Sequence, residues 1–401
     1  MKRIFVLTVV LVLSMAVMVQ AADNVTLRVV TMFGGTDPVT EVFENTIKEF
    51  QANNPGIKII DESATADDAY KVRVENDFAA GNEPDITMYF TQTLVEDPEW
   101  AGGLLDSALD QVRDADGNVY AIPITGFYEG LIVNLDLFKK YGLELPTDWA
   151  KFEKAIEVFN DNDIAPIAAG LGKIPHYNIE HFILKVAGPE GHSAGLVDGI
   201  NPGWVEGLNT IKELYKEASF MRDTLTTGWE ESQNLFAAGK AGMIIEGSWA
   251  VNTCMNDGAN NVTIMPMPAK PGTTGNDSDM VAGFSSGFYL SKKAYNDPQK
   301  KEMVLKLFKE ITSKGFIKKA AEANGGLPAA KVTPEGLLQP YLDGINAVQN
   351  AENLVMPIDS QIARPAFAEI VKGVAYICAD RRDAEEVLEA ARQIELSAQN
   401  N

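Results

Sequence analysis

The chain has 401 residues, 46% hydrophobic and 22% charged, the balance of a soluble globular protein of two or three domains. A formal charge of −22, from 34 basic and 56 acidic side chains, repels phosphate backbones and anionic lipid heads, which argues against nucleic-acid binding and electrostatic membrane docking. Two cysteines, Cys254 and Cys378, exclude a disulfide scaffold or a multi-cysteine zinc module.

Met1-Lys2-Arg3 is a short basic start, Ile4 to Val19 is uncharged and mostly apolar, and Val19-Gln20-Ala21 puts small residues at the expected cut. Residues 1–21 therefore read as a cleaved export signal. No cysteine near the cut offers a lipid anchor, so the mature protein is expected in a periplasm. That compartment allows Cys254 and Cys378 to pair, and two separate buried thiols are the alternative.

Val25 to Val29 alternates like a half-buried strand. Asp37 is placed to cap a helix with Pro38 at its first position and Val39, Phe43, Ile47 and Phe50 along one stripe. A strand at Ile57–Ile60, a helix from Asp67 to Ala80 and a strand from Pro84 to Tyr89 complete a strand–helix alternation. That alternation predicts an open parallel sheet with helices on both faces and ligands beyond the C-terminal strand ends.

Further on, Leu131–Asn134 reads as a strand and Thr147 as the cap of a helix to about Asn160. Trp204, Leu208, Ile211 and Tyr215 share a helical face. Glu230–Ala238 is helical, Met243–Ile245 and Phe288–Leu290 are short strands, and Pro298–Ser313 and Asp383–Leu396 are helices.

Several catalytic patterns fail on inspection. Gly283-Phe284-Ser285-Ser286-Gly287 fits a nucleophile elbow, but the three histidines, His176, His181 and His192, all precede it. Their spacing is not that of a metal site on a helix, and Gly170-Leu171-Gly172-Lys173 is not a phosphate loop. Neither a metal nor a cofactor is implied. A carboxylate pair for glycoside hydrolysis is always available among so many acids, and no spacing singles one out.

Several ordered stretches resemble the bacterial extracellular solute-binding proteins of sugar ABC transporters, the family that includes maltose-binding protein. They are Gly81-Asn82-Glu83-Pro84-Asp85-Ile86, Tyr120-Ala121-Ile122-Pro123 with Gly130-Leu131-Ile132-Val133-Asn134, and Leu137-Phe138 to Trp149. Phe236 to Met243 with Gly247-Ser248-Trp249, and Gly326-Leu327-Pro328-Ala329, follow in the family's order. Val133 stands where a tyrosine is usual, and Asp148 is inserted between Thr147 and Trp149. The resemblance implies an α/β protein of two lobes, each an open mostly parallel sheet flanked by helices, with a ligand cleft between them. One lobe would hold 22–125 plus 287–338 and the other 126–286 plus 339–401. It implies a non-enzymatic, monomeric sugar carrier that serves the transmembrane permease subunits of an ABC importer and binds no nucleic acid. A secreted carbohydrate-active hydrolase, or the same fold holding a polyol, are the alternatives.

A sugar offers apolar C–H faces to flat rings and a hydroxyl rim to directional polar groups. Trp249 is the first candidate, following a buried strand and a Gly-Ser turn, and Trp229 the second. Tyr89, Gln92 and Thr93 lie past the third strand, and Thr36 and Asp37 at the first strand–helix turn. Phe127, Tyr128 and Glu129 fall at the first crossover, and His176, Tyr177 and Asn178 in a polar-aromatic stretch. Arg364 and Phe367 lie where the resemblance places another aromatic. Trp149 and Trp204 read as packing residues, and Trp100 is open.

Overall fold

The structure, a computed structural model, describes residues 25–35, 37–65, 67–90, 119, 121–256 and 258–399. The export signal, Thr36, Gln92, Thr93 and Trp100 lie outside them. The chain divides into two compact units, Met1–Tyr89 with Phe288–Phe316, and Phe90–Gly287 with Ile317–Asn401. The described residues of 90–125, like residues 317–338, were expected with the first lobe and cluster in the second unit.

The chain begins with β1 (Val25–Val30), α1 (Thr40–Asn53), β2 (Ile57–Asp61), α2 (Asp68–Ala79) and β3 (Ile86–Phe90). β1 pairs in parallel with both β2 and β3, as strands joined by crossover helices must. α1 starts at Thr40, two residues later than the sequence suggests. Asp37 does not cap it directly but accepts the Val39 N–H at 2.8 Å, closing the turn before the first helical residue. Asp67 caps α2 by accepting the Tyr70 N–H. The stripe of α1 is buried as its spacing requires, with Phe43 ringed by Phe33 at 5.7 Å and Phe288 at 6.3 Å.

The second stretch contains β4 (Thr125–Asn134), α3 (Leu135–Tyr141), α4 (Trp149–Asp161), β5 (Ala165–Ala168), α5 (His176–His192) and α6 (Pro202–Lys216). α7 (Trp229–Ala237), β6 (Ala241–Gly247), α8 (Val251–Met255), β7 (Val262–Met265) and β8 (Met280–Gly283) follow. Asp148, not Thr147, caps α4: it is the residue next to the first turn, and its carboxylate accepts the Lys151 N–H at 3.0 Å.

β9 (Ser286–Leu290), α9 (Lys292–Asn296), α10 (Lys301–Ile311) and α11 (Lys314–Asn324) come next. β9 completes the four-stranded order β2-β1-β3-β9. The chain ends with β10 (Leu327–Pro328), α12 (Gln339–Asn350), β11 (Leu354–Val355), α13 (Arg364–Cys378) and α14 (Ala384–Ala398). A capping box between Asp383 and Glu386 starts α14. Among the described residues no helix is long and apolar enough to cross a membrane.

The second sheet has the order β11-β8-β4-β6-β5, with β7 and β10 also on β4. It is mixed rather than mostly parallel. β4 runs antiparallel to β6, β7, β8 and β10, while β5 pairs with β6 and β11 with β8 in parallel. The ten residues of β4 are long enough to take β8 along their first half and β7 along their second on one edge. Along β4 and β6, Leu131, Val133, Met243 and Ile245 enter one core with α4, α5, α6, α13 and α14. Ile132 and Ile244 enter the other with Phe236 of α7, Cys254 of α8 and Tyr341 of α12. This period of two buries the sheet on both faces.

Candidate functional site

The antiparallel register of β4 and β6 sets Glu129 opposite Gly247 and Gly130 opposite Glu246. Strand side chains alternate, so Glu129 shares the α5 face with Leu131, and Glu246 shares the α7 face with Ile244. One end of the sheet therefore carries a carboxylate on each side. Both are buried, 3% and 1% exposed.

Past Gly247 the chain enters a single 3-10 turn, Ser248–Ala250, that presents Trp249. Its indole lies 5.9 Å from the Phe127 ring and 5.6 Å from the Tyr177 ring, centroid to centroid. Phe127 comes from β4 and Tyr177 from the first turn of α5, so three elements build one aromatic corner. All three rings are half-buried. Trp229, the first residue of α7, donates its indole N–H to Glu246 Oε1, and Gln233, one turn on, donates to the same oxygen at 3.3 Å. Among the described residues, Glu129 Oε2 accepts no hydrogen bond.

Burial dominates the titration of this region, because a charge taken out of water loses solvation. It pushes Glu246 up to about 7 against hydrogen bonds from Trp229, Gln233, the Gly247 backbone and Trp249, which favour the anion. Glu129 is raised well above the usual carboxylate range by burial, and further by Glu180, Asp359 and Glu246. Glu180 is pushed up to about 8 by burial, although its Oε2 accepts the Ile358 N–H at 2.7 Å. His181 and His192 are pushed down to about 3 by burial. Their Nε2 atoms stand 3.6 Å from Glu129 and 3.3 Å from Glu180 without hydrogen-bond geometry, so at neutral pH these imidazoles are uncharged neighbours, not counter-ions.

The expected residues divide as follows. Phe127, Glu129, Tyr177, Trp229 and Trp249 converge on this end of the second sheet. His176 lies beside Tyr177 with its ring edge-on to Phe367 at 5.2 Å, and Phe367 itself is buried in the α13 core. Asn178 is buried with its Oδ1 unpartnered. Arg364 is exposed at the start of α13. Tyr128 points into the opposite core, where its hydroxyl donates to the carbonyls of Gly325 at 3.1 Å and Tyr341 at 3.3 Å. Trp149 and Trp204 are core residues, the latter donating to Gly191 O at 2.8 Å.

Asp37 and Tyr89 belong to the first unit. Burial raises Asp37 to about 6 against the bond from Val39, and Tyr89 donates to Glu75 Oε1 at 2.8 Å. Glu246, Gln233 and Glu180 were not singled out from sequence. The signal at Glu246 is a lone acid between two isoleucines and Gly247-Ser248-Trp249, a charge at the end of a buried strand. A separate cleft of about 480 Å³, lined by Trp149, Lys270, Gly275 and Asp277 among others, shares no residue with the aromatic corner.

Flat rings beside polar acceptors can hold a small polar molecule that has apolar faces. The fold is shared with solved binding proteins. A chitin oligosaccharide binding protein matches with a TM-score of 0.83 at 21% identity, over 94% of this chain and 100% of that one. A solute-binding protein in complex with raffinose matches with a TM-score of 0.76 at 16% identity, over 92% and 99%. The family model described as bacterial extracellular solute-binding protein matches residues 36–316, and the chain belongs to that family. Among relatives, a binding protein of Brucella abortus (strain 2308) is 23% identical over 316 residues, 72% of each chain. The multiple sugar-binding protein of Streptococcus mutans serotype c is 24% identical over 289 residues, 65% of this chain and 66% of its own.

Proposed function

We propose that the protein is the exported sugar-binding component of an ABC importer, with an oligosaccharide as its cargo. It captures the sugar by closure of its two lobes, acts as a monomer without bond making or breaking, and hands the sugar to membrane permease subunits. One observation carries this reading: the Phe127–Tyr177–Trp249 corner stands beside a buried carboxylate, Glu129, one of whose oxygens has acceptor capacity to spare. Rings of that kind cover the C–H face of a pyranose, and acceptors meet its hydroxyls once water is excluded. The family membership and the sugar-binding names of relatives and structural neighbours support the same cargo class.

The experiment is a thermal-shift screen of the mature protein against a panel of oligosaccharides and polyols, because a ligand that binds only the folded state raises the melting temperature by mass action. A saccharide hit that is recovered unchanged after long incubation supports a carrier. Release of shorter sugars would make the protein a hydrolase, and a response to polyols alone would change the cargo.

A further inference from the structure

Glu246 stands where an apolar side chain would pack better. It lies near the end of a strand buried on both faces, after Ile244 and Ile245, and pairs with no cation among the described residues. A carboxylate taken out of water without a counter-ion costs stability. What this one does is collect donors from α7: the Trp229 indole N–H and, one turn on, the Gln233 amide, both on Oε1.

The start of α7 leaves only the Trp229 side chain to be fixed. Glu231 Oε2 accepts the Gly228 N–H at 2.6 Å and Ser232 Oγ donates to the Trp229 carbonyl at 2.6 Å, so the backbone is tied on both sides of the ring. The indole is half-buried, and its one polar atom is the donor that Glu246 takes. Trp249 lies over the next residue of the strand, Gly247, and packs against the same core as Phe236 of α7. The two indoles therefore meet consecutive residues of β6, one through a hydrogen bond and the other through packing. A half-buried ring that is free to turn has to be immobilised by the ligand, which weakens binding, whereas a ring already anchored does not.

We infer that Glu246 is a positioning residue of the sugar site: it holds the Trp229 indole in place before the sugar arrives and occupies its only donor, so that Trp229 meets the sugar by its ring face alone. This rests on the sugar-carrier reading and adds Trp229 to the walls of that site.

Two measurements on the mature protein test it. In a proton–nitrogen correlation spectrum without ligand, the Trp229 indole signal, identified by its loss in Trp229→Phe, should exchange slowly with water, and Glu246→Leu should move it and speed its exchange. In calorimetric titrations with raffinose, maltotriose and the N-acetylglucosamine trimer, Glu246→Leu should weaken the binding of whichever probe the parent takes by about fivefold, the cost of immobilising one side chain. Glu246→Gln keeps an acceptor oxygen and should stay within about twofold of the parent. In the Trp229→Phe background the leucine should cost no more than about twofold, since the N–H it would release is gone. Circular dichroism confirms that the variants fold. Where Glu246→Leu does not, the parent spectrum decides, and a Trp229 indole proton in free exchange with water overturns the inference. Unchanged affinity in Glu246→Leu, no rescue by glutamine, or losses that multiply in full with Trp229→Phe overturn the positioning role and leave the sugar carrier standing. A parent that binds none of the three probes overturns both.

Discussion

Gly247 and Trp249 compete for the same volume: a Cβ on Gly247 would meet Cη2 of the Trp249 indole at 2.2 Å and its Cζ2 and Cζ3 at 2.4 Å. The indole lies directly over a backbone with no side chain, which is how it can lie between Phe127 and Tyr177 without leaving the end of β6. Any residue but glycine at 247 pushes that ring out of place.

Gly247→Ala is accordingly expected to weaken sugar binding while the rest of the fold persists. Overpacking of this kind costs about 1–3 kcal/mol. Titration calorimetry alongside a melting curve separates the two effects, and unchanged affinity would show that the ring position is immaterial.

Removing the ring itself is the more direct test. Trp249→Ala should cost about 2–3 kcal/mol of binding, roughly 30–150-fold in Kd, from the lost apolar contact. A variant that binds its sugar as tightly as the parent takes Trp249 out of the site.

The pH response follows from the raised carboxylates. Glu246 in the folded protein holds its proton up to about 7, against an ordinary value of 4.5, and Glu180 to about 8. The folded state thus binds more protons than the unfolded state in between. The stability tied to these groups is complete below 4.5 and is lost as pH rises through their folded values. Glu246→Gln removes one of them, so its unfolding free energy should fall less steeply than the parent's between about pH 5 and about pH 8, measured by urea unfolding. Parallel slopes would contradict the assignment.

Lys185 offers a test remote from the ligand. Lys185→Met keeps the apolar stem but leaves the carbonyls of Asn276, Asp277 and Asp279 without their shared donor. The expected loss is about 3 kcal/mol of stability, read from urea unfolding. The sugar affinity, determined by other residues, should change far less.

The first unit was largely legible in the sequence because its signals are local. The alternation of Val25–Val29, the stripe from Val39 to Phe50 and the helix expected over Asp67–Ala80 each follow from residues a few places apart. What failed depends on partners distant in sequence. That β4 runs antiparallel to four strands cannot be seen in Leu131–Asn134, since a run buried on both faces looks the same in either sense. Tyr128 looked like its neighbours Phe127 and Glu129, yet the pleat turns it into the opposite core, toward carbonyls about 200 residues later in the chain. The aromatic members of the candidate site were reachable through family-like motifs around Trp249 and Phe127. Glu246 was not, because its significance comes from Trp229 and Gln233 on a helix that precedes it.

Cys254 and Cys378 are both free and both buried, one in the core beside α8 and the other in the core of α13. Burial also holds their thiols in the protonated, unreactive form, with Cys378 pushed up to about 12 and Cys254 well above its usual range. The architecture thus owes nothing to oxidation. A recombinant host could assemble the same molecule in its reducing cytosol, with no oxidase, isomerase or refolding step.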